Sequence, residues 1–229
     1  WLRDLGIFGQ RSAEKRLPHA VFLLDDRQVA LLLRHLLSTD GTISPRGGAS
    51  RGSAGVHFST ASSGLACDVA ALLLRLGIVA RVRSVAQGAS RWYTVNVSGR
   101  DFLMTFLERV GGFGPRTRGA QALRKQLFDS VHNTNVDTLP REVFTRVRER
   151  MAAIGVTQRA MAQMRGTSYG GSAHYSFSPS RAVILEYGRL LDDDSLQAEA
   201  TSDLFWDTVA EVSPAGEEEV FDLTVPGPS

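Results

Sequence analysis

Between residues 27 and 110 the hydrophobic pattern switches back and forth between a helical and a strand period, and this succession limits the fold more than any other feature. Val29, Leu32, Leu33, Leu36 and Leu37 recur at helical spacing behind Asp25 and Asp26, an N-cap region, and the helix stops at Asp40 and Gly41. Gly41 is expected to let the chain leave the helix through a left-handed conformation. Residues 56–60 (Val-His-Phe-Ser-Thr) alternate and complete a first hairpin over 43–60, whose tip carries Arg46 and Arg51 among Gly and Ser. Residues 62–76 predict a second helix, with Ser62 or Ser63 as cap, Leu65, Val69, Leu72, Leu73 and Leu76 on its apolar face, and Gly77 as the stop. A second hairpin follows over 78–85 and 91–97, then a third helix over 102–110. The order αββαββα predicts an α+β domain built on one antiparallel sheet.

Around this repeat (25–116) the chain divides further. Residues 1–24 read as a lead-in whose helix, if any, stops before Pro18. Residues 117–139 read as a polar linker with a short helix near 120–128, and 140–200 as three to four short helices punctuated by Gly155, Gly166, Gly170, Gly171 and Pro179. The final part, 201–229, alternates around Pro214, Ala215 and Gly216 and predicts two strands about a turn.

Charge is spread unevenly. Residues 192–229 hold eleven acids and no Lys or Arg, whereas 1–191 hold 26 basic and 13 acidic residues, an excess of +13. Such an excess favours a polyanion, because each neutralised phosphate releases condensed counterions. The acidic tail is expected to belong to a different structural unit. No apolar run reaches the ~20 residues that span a bilayer. The start at Trp1, with no basic-then-apolar leader, reads as an internal fragment of a cytoplasmic protein. The single cysteine, Cys67, excludes an intrachain disulfide and reads as a small buried hydrophobe.

The segment Leu33-Arg34-His35-Leu36-Leu37-Ser38-Thr39-Asp40-Gly41, ending a helix and followed by hairpins, resembles the LAGLIDADG motif of homing endonucleases. The αββαββα order matches one repeat of that fold. The resemblance implies a catalytic Asp40 that ligates a metal, Mg²⁺, with the carbonyl of Gly41 contributing, and double-stranded DNA as the partner. Two such helices would pack along a pseudo-two-fold axis and bring two acids to the floor of a DNA-binding saddle. Two departures stand out. Arg34 and His35 occupy places where the family has small residues, and no second motif with an acid follows, since the helix over 102–110 ends in Val110-Gly111. Either two chains pair as a homodimer to supply two acids, or the catalytic machinery is incomplete.

A two-stranded ribbon fits a major groove ~12 Å wide. Arg81 and Arg83, alternating onto one face, with Arg91 and Tyr93 continuing on the neighbouring strand, are the candidate DNA contacts; Arg46 and Arg51 come next. Residues 156–168 are similar to the first helix and turn of phage-repressor helix-turn-helix units. Thr157 would be the cap and Gly166 the turn, with Gln158, Ser168, Tyr169, Ser172 and His174 on or near the element presented to the groove. Gly170-Gly171 is unusual inside a recognition helix. Residues 219–225 (Glu-Val-Phe-Asp-Leu-Thr-Val) resemble the strand near the C-terminal end of inteins, with Asp222 matching an acid that assists splicing.

Taken together the chain resembles the endonuclease part of an intein, most like inteins of bacterial replicative DNA helicases. A short β segment of the Hint splicing domain would lie at its end, and the two splicing halves would be its partners. The fragment itself is expected not to splice. Three functions compete: a site-specific metal-dependent endonuclease, a non-catalytic DNA-binding module, and a purely structural insert.

Overall fold

Asp25 begins the first helix as its chemistry dictates. In the computed structural model its carboxylate accepts from the Gln28 amide at 2.9 Å, while the Gln28 side-chain carbonyl accepts from the Asp25 amide at 3.1 Å. This reciprocal capping box opens α1 (Asp26–Asp40). The structure describes residues 3–45, 54–88, 90–128, 137–209, 211–214, 216–217 and 219–220, and the chain divides into two compact units, Trp1–Val136 and Asp137–Ser229.

In the first unit α1 is followed by β1 (Gly41–Ser44), β2 (Gly55–Thr60), α2 (Ser63–Arg75), β3 (Ala80–Gln87), β4 (Ser90–Val97) and α3 (Arg100–Arg109). This is the expected αββαββα order. Ser62, and not Ser63, caps α2 by accepting from the Leu65 amide at 3.1 Å, and Gly77 at φ +73° ends it. All strand pairs are antiparallel in the order β1-β2-β4-β3, with Phe58 opposite Val95 and Val82 opposite Val95. Because side chains alternate, one face of the sheet buries Val56, Phe58, Val95 and Val97 against the helices. Leu33 and Leu37 of α1, Leu72 of α2 and Phe106 of α3 fill the same core. Full burial of each such side chain contributes roughly 2 kcal/mol.

Two sequence expectations change here. The helix near 120–128 is α4 (Thr117–Phe128), and it is no linker element: Ala120, Leu123 and Leu127 are buried in the sheet-bearing core. Gly119 allows this approach, since a Cβ there would sit 2.5 Å from the Ile43 carbonyl oxygen on edge strand β1. Cys67 lies on the exposed side of α2, one residue from the position that is buried.

That buried neighbour is Asp68, which ties down the lead-in. Its carboxylate accepts from Arg16 Nε at 2.8 Å, Arg16 Nη2 at 2.7 Å and the Leu17 amide at 2.9 Å. Arg16 lies so close over Gly64 that a Cβ there would be 2.2 Å from its Cδ. Burial pushes the Asp68 carboxyl up, but the hydrogen bonds from Arg16 and Leu17 and the Arg16 charge outweigh it and hold the group below its ordinary 3.8. A lowered carboxyl pKa stabilises the fold above the unfolded value, and that contribution disappears as pH falls through the folded value. Asp68→Asn is therefore expected to lower the urea midpoint at pH 7, with an effect that shrinks steadily as pH is taken below 3.8. A loss that stays constant as pH falls would show that the charge of Asp68 is not what matters.

The second unit is helical: α5 (Val143–Ala153), α6 (Gln158–Met164), α7 (Arg181–Leu190) and α8 (Asp194–Thr201), with a 3-10 turn at Gly171–Ser176. Phe144, Val147, Met151, Ile184, Tyr187 and Leu196 form its core. Arg181 joins the start of this unit to its end. Its Nε donates to Asp137 at 2.7 Å, its Nη1 to the Ser202 carbonyl at 2.9 Å, and its Nη2 to the Leu204 carbonyl. The two strands predicted for the final part do not form among the described residues up to 220. Trp206, Val209 and Val212 are exposed there, and their main chain finds no strand partner among the described residues. Among the described residues no helix is long and apolar enough to cross a membrane.

Candidate nucleic-acid interface

The face of the sheet turned away from the helices carries Thr42, His57, Ser59, Thr94 and Asn96, with Arg81 and Arg83 on edge strand β3. Register makes this assignment, since Arg81 pairs with Asn96 and Arg83 with Thr94, both opposite in parity to the buried Val95 and Val97. The four strands contain Arg81, Arg83 and Arg91 and no Asp or Glu. A sheet face with cations and no anions is suited to phosphate.

The same register corrects one expectation. Tyr93 pairs with Ser84 and Arg91 with Ala86, so Arg91 and Tyr93 lie on the helix-packed side of β4, not beside Arg81 and Arg83. Tyr93 is half-buried against the core. The residue that continues the arginine face is Trp92, exposed and paired with exposed Val85. The rule of alternation holds, but two strands read separately do not reveal which residues oppose each other. Arg46 and Arg51 lie outside the described residues.

Sequence reasoning passed over His57 and Asn96. His57 Nδ1 is 2.6 Å from Asn96 Oδ1, and Asn96 Nδ2 donates to Thr94 Oγ1 at 2.9 Å. An amide whose nitrogen is engaged this way turns its oxygen to the imidazole, so Nδ1 is the donor of the pair. The signal was available as parity with Arg81 once the strand pairing was known.

Asp40 is the last residue of α1 and is exposed; no basic residue lies in that last turn. It therefore stands at the negative pole of the helix, where a carboxylate is unfavourable and a cation is welcome. Gly41 is not left-handed. Its φ of −102° and ψ of 168° are extended, and its N–H donates to the Leu37 carbonyl. Glycine is needed for another reason: a Cβ would lie 2.4 Å from the Leu37 carbonyl oxygen and 2.9 Å from Leu37 Cα. Among the described residues no three of His, Cys, Asp and Glu come together to hold a metal ion. Among the described residues Asp40 stands without a cluster of further carboxylates, and by itself it falls short of the oxygen shell that a hard octahedral cation requires.

Arg34 and His35, the two departures from small residues, are both used within the chain. Arg34 Nε donates to the Val110 carbonyl at 2.5 Å, and His35 meets Phe113 edge-on with ring centroids 4.8 Å apart.

In the second unit Thr157 caps α6 by accepting from the Ala160 amide at 3.2 Å, and Gly166 turns the chain at φ +64°. The segment after it is not a helix: residues 167–170 are irregular and Ser172 and His174 lie in the short 3-10 turn. Gln158, Ser168, Tyr169 and His174 nevertheless gather around one cleft of about 150 Å³. Its wall is Arg165, which donates through Nε and Nη2 to Glu186 at 3.0 and 2.8 Å and through Nη1 to Tyr187 Oη at 3.2 Å. Burial, then the Arg165 charge, pushes the His174 imidazole down from 6.5, so it is neutral at pH 7. Burial pushes the Tyr187 hydroxyl up to about 12. Asp222 lies outside the described residues.

Residues 27–111 match the model of the LAGLIDADG-like domain. The whole chain is 43% identical to a segment of "Replicative DNA helicase DnaB" of Rhodothermus marinus, and 99% of it is 38% identical to the protein of that name from Nostoc sp.. It is also 27% identical, over 97% of its length, to part of "Protein RecA" of Mycobacterium tuberculosis. The chain spans about a quarter of the first two relatives, 24% and 26% of their lengths. Over residues 27–111 the chain is thus similar in sequence to the LAGLIDADG-like domain, and it has that domain's mixed α+β architecture with a four-stranded antiparallel sheet.

Proposed function

We propose that this chain is the DNA-recognising endonuclease part of an intein, and that its open sheet face seats on duplex DNA. The observation that carries this reading is the acid-free face bearing Arg81 and Arg83 beside a LAGLIDADG-like helix that ends in an exposed Asp40. The intein reading is supported by similarity of one segment to parts of proteins with different names, as an inserted element would show. A replicative helicase is the host most consistent with the higher identities. Residues 1–24 and 202–229 would then lead into the two splicing halves, whose strands would partner the exposed apolar residues near the end.

Phosphodiester hydrolysis would centre on Asp40. Asp40 is the one such carboxylate found among the described residues, so cutting both strands would draw on two copies. Mg²⁺, when bound, would polarise the phosphate and activate water. This chain's own contribution is to hold a carboxylate at a helix end and to position the duplex. The test is a plasmid carrying the empty insertion site, incubated with Mg²⁺ and increasing protein. Cutting is expected to rise with the square of protein concentration at low occupancy, and no cutting at any concentration would end the endonuclease reading.

A second reading is a DNA-binding module without nuclease activity. It is favoured by Arg34 and His35, whose long side chains are committed to Val110 and Phe113 where close helix pairing would need small ones. Binding that persists without cutting would select it.

A further inference from the structure

Trp92 stands on the open sheet face, and phosphate contacts from Arg81 and Arg83 leave it without a role. Along β3 and β4, from Ala80 toward Gln87, that face carries Arg81 opposite Asn96, then Arg83 opposite Thr94, then Val85 opposite Trp92. β2 ends at Thr60, which pairs with Tyr93, so beyond this point β3 and β4 continue as a two-stranded ribbon. Both sides of the ribbon are exposed, with Val85 and Trp92 on one and Ala86 and Arg91 on the other. Trp92 is 42% exposed and Val85 49%, and neither enters the core against which Tyr93 packs.

An apolar cross-strand pair beside two cations narrows what it can meet on a duplex. Phosphates suit Arg81 and Arg83, and no Asp or Glu lies in the four strands to repel them. Seating an indole and an isopropyl group on phosphate would desolvate charge without compensation. A two-stranded ribbon enters the major groove, about 12 Å wide, and is too broad for the minor groove of about 6 Å. In the major groove the base edges show hydrogen-bond donors and acceptors, and thymine adds a 5-methyl group. That methyl is the apolar group available there for Trp92 and Val85 to cover.

We propose that Trp92 and Val85 are specificity residues that read thymine, their joined apolar surface covering 5-methyl groups in the major groove of the target duplex. This role rests on the sheet-based reading of DNA binding above and adds base recognition to it. The arginines hold the backbone of any sequence, whereas the apolar pair favours sites with thymine beneath it. Cross-strand aromatic and β-branched neighbours attract, so Val85 also holds the indole in place on an otherwise open ribbon.

The test measures binding of the full chain to two short duplexes of the empty insertion site, one natural and one with uracil in place of every thymine. Base pairing is retained and only methyl groups are lost. Wild type is expected to bind the uracil duplex about fourfold more weakly for each methyl group covered. In Trp92→Ala the ratio between the two duplexes is expected to fall close to one, with Trp92→Phe between, while the salt dependence that Arg81 and Arg83 supply is unchanged. Should Trp92→Ala shift the urea midpoint, Val85→Ala, which trims the same pair more mildly, takes its place and is expected to reduce the ratio. Equal affinity of wild type for the two duplexes overturns the reading of thymine methyl groups. A ratio as large in these variants as in wild type overturns its assignment to this pair. Either result leaves the sheet-based reading standing, whereas no binding to either duplex ends both.

Discussion

Asp40→Asn is expected to lower cutting of the target plasmid by roughly a thousandfold or more while leaving duplex affinity unchanged, the scale on which loss of charge stabilisation at a reacting group acts. The substitution keeps shape and removes one negative charge. Asp40 is exposed at the C-terminal end of α1 and makes no ion pair among the described residues, so nothing in the fold depends on that charge. The helix pole makes the charge a cost of about 0.3–1 kcal/mol. The variant should therefore unfold at a slightly higher urea concentration than wild type. If Asp40→Asn cuts as well as wild type, Asp40 is only the residue before a turn.

Replacing Arg81 and Arg83 together with alanine is expected to weaken duplex binding by about a hundredfold at moderate salt. The slope of log affinity against log salt should flatten by about two units, one for each phosphate no longer neutralised. Both arginines are exposed on edge strand β3, two residues apart, on the side of the sheet turned away from α1, α2 and α3. Neither takes part in the core, so the unfolding midpoint should hold. Arg91→Ala is the internal control. It removes the same charge from the opposite face, so its effect should be well below half that of the pair, and equal effects would mean that net charge, not this face, drives binding.

Much of the fold could be read from residues alone. The order αββαββα followed from period, since a helix buries every third or fourth residue and a strand every second. Caps were equally local: Ser62, Thr157 and Gly166 act within a few residues of themselves. The site was legible only in part. That Arg81 and Arg83 share a face is a property of one strand, whereas the position of Arg91 relative to them depends on pairing across two. The helix expected to lie in a groove failed at Gly170 and Gly171, because two glycines in succession let the chain take a turn that no helical preference opposes.

By itself, then, the sequence determined everything that repeats along the chain: helix and strand identity, the antiparallel class of the sheet, and the excess of positive charge before the acidic tail. Tertiary structure alone decided what depends on residues far apart in sequence. It placed α4 in the core and tied Arg16 to Asp68. It also made Gly41 necessary through its approach to Leu37, not through its torsion, and joined His57 to Asn96 on the open face. The reason is that hydrophobic period records only which side of an element is buried. Which partner buries it, and in what register, is set by packing at distances of a few ångströms between segments that the linear pattern cannot align.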